Sequence, residues 1–277
     1  MKRFFIITLL AGMFTNSHAQ VKMPAPSPTQ TIKQDFAMGS IEITYSRPSA
    51  KGRKVFGNLV PYNKLWRTGA NAATIIKFTE PVDIKGKHVD TGSYALYTIP
   101  GNETWEIILN KGVKNWGIDG YQESDDVIRV TAEPMKLDTK LETFTIQFGE
   151  IKPESCDLYF MWQKTAVLIP ITANIKDKLK AQIDAAMLTD KKPYWAAAQF
   201  YNDYEKNNTK ALENVTKAIE ANPKAYWMWI FKARIQKEMG DKEGAVASSK
   251  ESLKLATEAK NDDYIKINEE FLKKIKK

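Results

Sequence analysis

Apolar and polar residues alternate with a period of two from Ile41 to Ile171. Such alternation is typical of strands that bury one face. Turn signals such as Pro100-Gly101-Asn102 separate the apolar segments at intervals too short for crossover helices. The pattern predicts roughly ten antiparallel strands in a β-sandwich or jelly roll over residues 40–172. The apolar sets are Ile41/Ile43/Tyr45, Thr74/Ile76/Phe78, Trp105/Ile107/Leu109, Phe144/Ile146/Phe148, Leu158/Phe160/Trp162 and Val167/Ile169/Ile171.

After Thr172 the apolar residues recur with the period of an α-helix. Trp195 and Trp229 are 34 residues apart, as are Ala211 and Ala245. This spacing is the period of the tetratricopeptide repeat, a pair of packed helices. We therefore predict a short tetratricopeptide-like α-helical repeat domain over residues 173–277, with both tryptophans largely buried.

The first residues have the pattern of a secretory signal. Lys2 and Arg3 precede an apolar stretch that runs from Phe4 to Phe14, and small residues follow at Ser17 and Ala19. We expect a signal peptide over residues 1–19, cleavage after Ala19, a periplasmic or secreted protein, and an N-terminal linker over residues 20–39. The apolar stretch is shorter than the roughly 20 residues that span a bilayer, so we expect no membrane span.

Composition narrows the function classes. The chain is 43% hydrophobic and 27% charged, as expected for a folded domain protein, and its one Cys and two His predict neither a disulfide framework nor a metal centre. No cofactor motif is present, and we expect no cofactor. The net charge of +8 lies mostly in the second half, where Lys residues alternate with acids and Arg234 is the single Arg, which argues against nucleic-acid binding.

A long segment without strand pattern lies between Ser46 and Asn71. Loops longer than about 12 to 15 residues in compact domains are usually functional or disordered. This one contains too many aromatic residues for a disordered segment. We therefore predict an ordered, packed loop.

This loop resembles a known family. The strings that carry the resemblance are Ser46-Arg47-Pro48-Ser49-Ala50-Lys51-Gly52-Arg53, Phe56-Gly57, Leu65-Trp66-Arg67-Thr68-Gly69-Ala70-Asn71, Gly92-Ser93-Tyr94-Ala95-Leu96-Tyr97-Thr98-Ile99-Pro100 and Asn115-Trp116-Gly117. Their order over residues 40–171 is similar to that in the exported bacterial family called domain of unknown function 2911. The resemblance implies an exported β domain, often followed by helical repeats, and implies no reaction or catalytic residue.

The loop also suggests a binding site. The guanidinium groups of arginine are suited to binding carboxylate or phosphate, and aromatic faces are suited to packing against a sugar ring or an aliphatic group. With Arg67 as the anchor and Trp66 or Trp116 as the platform, such a site takes an anionic or glycan ligand. An alternative interpretation is that Trp66 plugs one end of the sandwich and Arg67 pairs with an acid. The candidate ligand-binding residues are Arg47, Lys51, Arg53, Tyr62, Trp66, Arg67, Asn71 and Trp116.

Sequence patterns that would indicate catalysis are weaker than those that indicate binding. Ser49 and Lys51 have the spacing of a Ser-Lys dyad, and Glu103 with Glu106, or Asp125 with Asp126, could supply paired carboxylates. His88 follows a tight turn and lacks a nucleophile elbow. We therefore expect a binding or assembly module that contacts a protein or peptide through the helical repeats. The alternative is an envelope hydrolase acting on a glycan or peptide.

Overall fold

The computed structural model describes residues 23–275 and divides the chain into two compact units, with the boundary between Thr172 and Ala173. Antiparallel β sheets form the first unit and helices form the second, which confirms the predicted order of fold classes. The predicted signal peptide and its cleavage site lie outside the described residues. Within residues 23–275, no helix is long and apolar enough to cross a membrane.

The described residues of the first unit form two sheets. The strands are β1 (Thr29–Phe36), β2 (Gly39–Ser46), β3 (Ala70–Phe78), β4 (Val82–Ile84), β5 (Lys87–Val89), β6 (Gly92–Ile99), β7 (Trp105–Asn110), β8 (Asp126–Ala132), β9 (Pro134–Lys152) and β10 (Ser155–Thr172). One sheet has six strands in the order β1-β2-β3-β6-β7-β8, and the other has four in the order β5-β4-β10-β9. Every pair of these strands is antiparallel.

Large aromatic side chains join the two sheets. Trp105 of β7 and Tyr45 of β2 are buried on the inner face of the six-stranded sheet, opposite Phe144 of β9 and Trp162 of β10. The rings of Tyr45 and Phe144 meet edge to face at 5.8 Å, and the Tyr45 hydroxyl receives a hydrogen bond from the backbone N–H of Ile146 at 2.9 Å. The core of the sandwich is therefore aromatic and is tied across the sheets by a hydrogen bond.

Strand β10 is one strand where the apolar pattern suggested two. Residues up to Trp162 are buried at even positions, whereas Val167, Ile169 and Ile171 are buried at odd positions. The pairing with β9 shifts register on both sides of Gln163, whose φ is +53°. An irregularity of this kind breaks the pleat and lets both halves of β10 face the same core.

The predicted N-terminal linker, residues 20–39, differs from the structure. Thr29–Phe36 forms β1, an edge strand paired with β2 along its whole length. Its sequence is mostly polar because it is partly exposed, and an edge strand of this kind gives little apolar alternation. The β unit therefore begins before residue 40.

The second unit contains six helices in the described residues. They are α1 (Lys176–Met187), α2 (Tyr194–Asp203), α3 (Asn208–Ala221), α4 (Tyr226–Glu238), α5 (Lys242–Glu258) and α6 (Asp262–Ile275). Ala211, Ala218 and Ala225 are buried where α3 approaches its neighbours, since small side chains allow close packing.

The repeat period coincides with helix starts. The side chain of Asn207 caps α3 by accepting the backbone N–H of Lys210, and Asp241, one repeat period later, caps α5 through the N–H of Gly244. Such caps satisfy N–H groups that a first helical turn leaves unpaired. Trp195 and Trp229 pack against the core of this unit but are only partly buried, so they are more exposed than expected.

We predict that each unit folds alone, because the period of the apolar pattern changes at residue 173. A fragment of residues 20–172 should give a strand-rich circular dichroism spectrum and melt cooperatively. The full chain serves as the reference for the melting transition. A fragment with a helical spectrum, or one without a cooperative transition, would contradict this division.

Candidate functional site

Trp66 lies inside the sandwich. Its backbone pairs with Thr98 of β6 through hydrogen bonds of 2.7 and 2.9 Å, and its indole N–H donates to the carbonyl of Gly69 at 3.0 Å. The indole stacks on Trp162 with ring centres 6.1 Å apart and leaves only 8% of the residue exposed. Trp66 therefore fills the core, as the alternative interpretation of the loop expected, and Trp116 is the remaining candidate for a platform.

Other loop arginines hold the loop itself. Arg47 donates to the carbonyl of Phe144 and to the hydroxyl of Thr145 in β9. Arg53 donates to the carbonyls of Ser49 and Ala50 within its own turn. Each guanidinium thus donates two hydrogen bonds to protein acceptors, which assigns both side chains a role in ordering the loop.

Lys51 and Tyr62 are two further candidate residues of this loop. Lys51 is exposed, and its backbone N–H bonds to the carboxylate of Glu142. Tyr62 lies over Gly57, where a Cβ would come within 2.7 Å of the Tyr62 ring, so the positive φ at Gly57 and this contact both require glycine. Neither side chain is brought to Arg67 by any contact in the described residues.

Arg67 is the exception among the loop arginines. Its Nε is buried without a hydrogen-bond partner, and within residues 23–275 no hydrogen bond or ion pair joins its guanidinium to another side chain or carbonyl. A buried donor without a partner usually costs about 1–3 kcal/mol. The ion pair that the alternative interpretation proposed for Arg67 is therefore not formed with the described residues.

Gly117 packs against Arg67. A Cβ placed on Gly117 would lie 3.6 Å from Nη1 of Arg67 and 3.7 Å from the carbonyl oxygen of Asn71. Gly117 has φ of +67°, which favours glycine. The preceding residue, Trp116, is 67% exposed. The backbone that carries Trp116 therefore lies next to Arg67 and the Asn71 carbonyl.

The segment that carries Trp116 is fixed on the sheet by Asn115. The Asn115 side-chain amide donates to the Tyr97 hydroxyl at 3.1 Å, and its backbone carbonyl accepts the N–H of Ala73 at 3.4 Å. Tyr97 is fully buried in a small apolar cluster on the outer face of the sheet, and this burial raises the pKa of its phenol. Asn115 is thus a positioning residue for Trp116.

Asn71 contributes its backbone carbonyl to the surroundings of Arg67, whereas its side chain forms hydrogen bonds elsewhere. It has φ of +61°, a conformation that asparagine tolerates better than most residues. Its side-chain amide donates to the carbonyl of Ser27 and the hydroxyl of Ser46. The carbonyl oxygen of Asn71 therefore faces the space next to Gly117, while its amide holds the N-terminal part of the unit.

An acidic cluster lies near the same segment. Arg129 forms ion pairs of 2.7 Å with Glu106, 2.8 Å with Asp126 and 3.4 Å with Glu123. Burial lowers the pKa of Arg129, but hydrogen bonds to Glu106 and Asp126 outweigh this effect and raise it above its usual value. Burial and the hydrogen bond to Asp126 raise the pKa of Tyr121 to about 12, so its hydroxyl stays protonated and donates.

The catalytic alternatives find no support in this geometry. Glu106 and Asp126 both bind Arg129 and do not face an open cleft as an acid pair. The Ser49 hydroxyl bonds to Thr143 at 3.1 Å. No contact among the described residues joins Ser49 to the Lys51 ammonium group.

The single histidine of the β unit and the single thiol lie apart from Arg67. His88 is 62% exposed on the β4–β5 hairpin, 3.2 Å from Asp83. Cys156 is buried, and its burial raises the pKa of the thiol to about 11, so it is protonated and unreactive at neutral pH. In the described part of the chain, no cluster of three or more His, Cys, Asp or Glu has a geometry suited to a metal ion.

Comparison with known families matches residues 27–171 to the family described as "Protein of unknown function (DUF2911)". This is more than half of the chain. The chain belongs to the DUF2911 family. The comparisons with curated proteins and with solved structures found no match.

The matched range corresponds to the β unit, which we call the DUF2911 unit (residues 27–171). It contains the Arg67 site, which we define as Arg67, Asn71, Trp116 and Gly117. In this site the guanidinium of Arg67 has no protein partner among the described residues, and the exposed Trp116 precedes Gly117, which packs against Arg67. Sequence reasoning missed Gly117 and Asn115 as site residues, although both flank Trp116 in a string that supported the family resemblance.

We predict different stability effects for two tryptophans of the DUF2911 unit, Trp66 and Trp116. Trp66→Ala should lower the free energy of unfolding by about 3–5 kcal/mol, because it leaves a cavity in the aromatic core. Trp116→Ala should change it by no more than about 0.5 kcal/mol, since that side chain is exposed. Urea unfolding of the full chain measures both, and equal losses would show that Trp116 is structural.

Proposed function

We propose that this chain is an exported binding module whose DUF2911 unit holds a small anionic ligand at the Arg67 site. The observation that carries the proposal is the guanidinium of Arg67, whose buried Nε has no partner, next to Gly117 of the segment that carries the exposed Trp116. Every other arginine of the loop bonds to protein acceptors. Export to the periplasm or beyond is part of the proposal and is supported by the pattern of residues 1–19.

The ligand chemistry follows from the two groups. A guanidinium binds a carboxylate or phosphate through two parallel hydrogen bonds, and an indole face covers the C–H face of a sugar ring or an aliphatic chain. A sugar acid satisfies both requirements in one small molecule. We therefore propose an anionic glycan component or a similar ring-bearing carboxylate as the ligand class.

A binding function fits the site better than hydrolysis. Glu106 and Asp126 are ion-paired with Arg129, and Ser49 is bonded to Thr143. A glycoside hydrolase needs two carboxyl groups that flank a bond, and a serine hydrolase needs a base in contact with its nucleophile. No observation in the described residues favours the envelope hydrolase.

The helical unit is the second part of the proposal. The capped starts of α3 and α5, one repeat period apart, support a tetratricopeptide-like arrangement of helix pairs. Stacked helix pairs commonly present surfaces to which peptides bind. We propose that this unit, as a separate domain over residues 173–277, contacts a protein or peptide.

The ligand class can be tested with three probes. Glucuronate carries both the ring and the charge, acetate only the charge, and glucose only the ring. In a ¹⁵N-labelled chain, glucuronate should shift the Nε–H signal of Arg67 and the indole N–H signal of Trp116 more than either other probe. Arg67→Lys and Trp116→Phe assign the two signals by their loss.

Arg67→Gln should abolish the glucuronate response while the fold is kept. The variant removes a buried donor that has no partner, so the free energy of unfolding should fall by no more than about 1 kcal/mol. Lys54→Gln is the matched control, because it removes one charge from an exposed position of the same loop. Unfolding of Arg67→Gln at room temperature would show that Arg67 is a structural pin and would contradict the proposal.

A further inference from the structure

A charged cavity lies within the helical unit, between the end of α1 and the helices α2 and α3. It has a volume of about 320 Å³ and contains three lysines against one glutamate. We call it the lysine slot and define it by Tyr194, Tyr201, Lys192, Lys210, Asn214 and Lys217. Its net positive charge distinguishes it from the apolar contacts between the same helices.

Two lysine–tyrosine pairs form the sides of the slot. The ammonium group of Lys210 lies 5.0 Å from the ring centre of Tyr201, and that of Lys217 lies 5.6 Å from the ring centre of Tyr194. The two tyrosines are seven residues apart on α2, and the two lysines are seven residues apart on α3, so each pair repeats after two helical turns. Cation–π contacts restrict where these flexible side chains place their charge.

Asn214 lies between the two pairs. It is four residues after Lys210 and is only 8% exposed. Its side-chain amide donates one hydrogen bond to the carbonyl of Lys210 at 2.8 Å, which leaves a second amide hydrogen that an acceptor in the slot can use. A buried amide with a free donor between two held cations is suited to an incoming carboxylate.

One carboxylate of the protein, that of Glu213, already lies against the lysine slot. Its carboxylate bonds to the Lys217 ammonium group at 2.6 Å, and this contact lowers the pKa of Glu213 and raises that of Lys217. The protein therefore already places one carboxylate against the slot. The charge of Lys210 also lowers the pKa of Glu213, although neither Lys192 nor Lys210 forms an ion pair with a carboxylate of the described residues.

We propose that the lysine slot binds an acidic segment of a partner protein, with carboxylate side chains of that segment between Lys210 and Lys217. The inference rests on the proposed role of the helical unit in protein contact. It is independent of the Arg67 site, which lies in the other unit.

The test uses the full mature chain and a fluorescein-labelled hexaglutamate peptide, with binding followed by fluorescence anisotropy at low ionic strength. The triple variant Lys192→Gln, Lys210→Gln, Lys217→Gln should weaken binding about tenfold or more, because each charge contributes a fraction of the total. The matched control is Lys242→Gln, Lys250→Gln, Lys260→Gln, which removes three exposed lysines from the same unit. Equal weakening by both variants would overturn the proposal, since it would indicate attraction to net charge alone.

Glu213→Gln provides a test in the opposite direction. It removes the carboxylate that competes for Lys217, so hexaglutamate should bind roughly twofold or more tightly. Unchanged or weaker binding by this variant would overturn the proposed geometry. Arg67→Gln should leave peptide binding intact, so loss of the glucuronate response with retained peptide binding separates the two sites.

Discussion

The insertion of Trp66 between the two sheets is the contact on which the DUF2911 unit depends. Its indole meets Phe56, Trp105, Phe144 and Trp162, with ring centres between 5.0 and 6.3 Å apart. These contacts come from both sheets and from the loop itself. Burial of this side chain therefore ties a long segment without regular strand to the core, and the hydrogen bonds of Arg47 and Arg53 hold it further.

The position of Trp66 also decides the position of Arg67. Successive residues of an extended chain point to opposite sides, and the backbone of Trp66 pairs with Thr98 as a strand would. When the indole enters the core, the guanidinium must lie on the outer face of the sheet, where the segment with Asn115 and Gly117 covers it. The dipeptide Trp66-Arg67 thus places one side chain in the core and the next in the proposed anion site.

Much of the fold could be predicted from the sequence, because the strands and helices depend on the period of apolar residues. Strand β1 could not, since an exposed edge strand with Lys33 and Gln34 has little alternation. The continuity of β10 could not either, because Gln163 is not a residue type that signals a positive φ. In both cases tertiary pairing outweighed the local pattern.

The candidate site was predicted less completely than the fold. The sequence placed Arg67 and Trp116 among the candidates, but their surroundings depend on contacts between segments that are far apart along the chain. Arg47, Arg53 and Arg67 belong to one loop, and only the structure shows that the first two bond to carbonyls whereas the third does not. The lysine slot likewise needs the packing of α2 against α3, which no spacing along one helix reveals.

The irregularity at Gln163 has a consequence for the evolution of this strand. The two halves of β10 have opposite phases, so the inward orientation of Val167, Ile169 and Ile171 depends on the irregularity, and in an uninterrupted pleat after Trp162 these side chains would point outward. Substitutions can be accepted one at a time at many positions of a sandwich, but loss of this irregularity would expose several core residues at once. The irregularity in the middle of β10 should therefore be retained across this family.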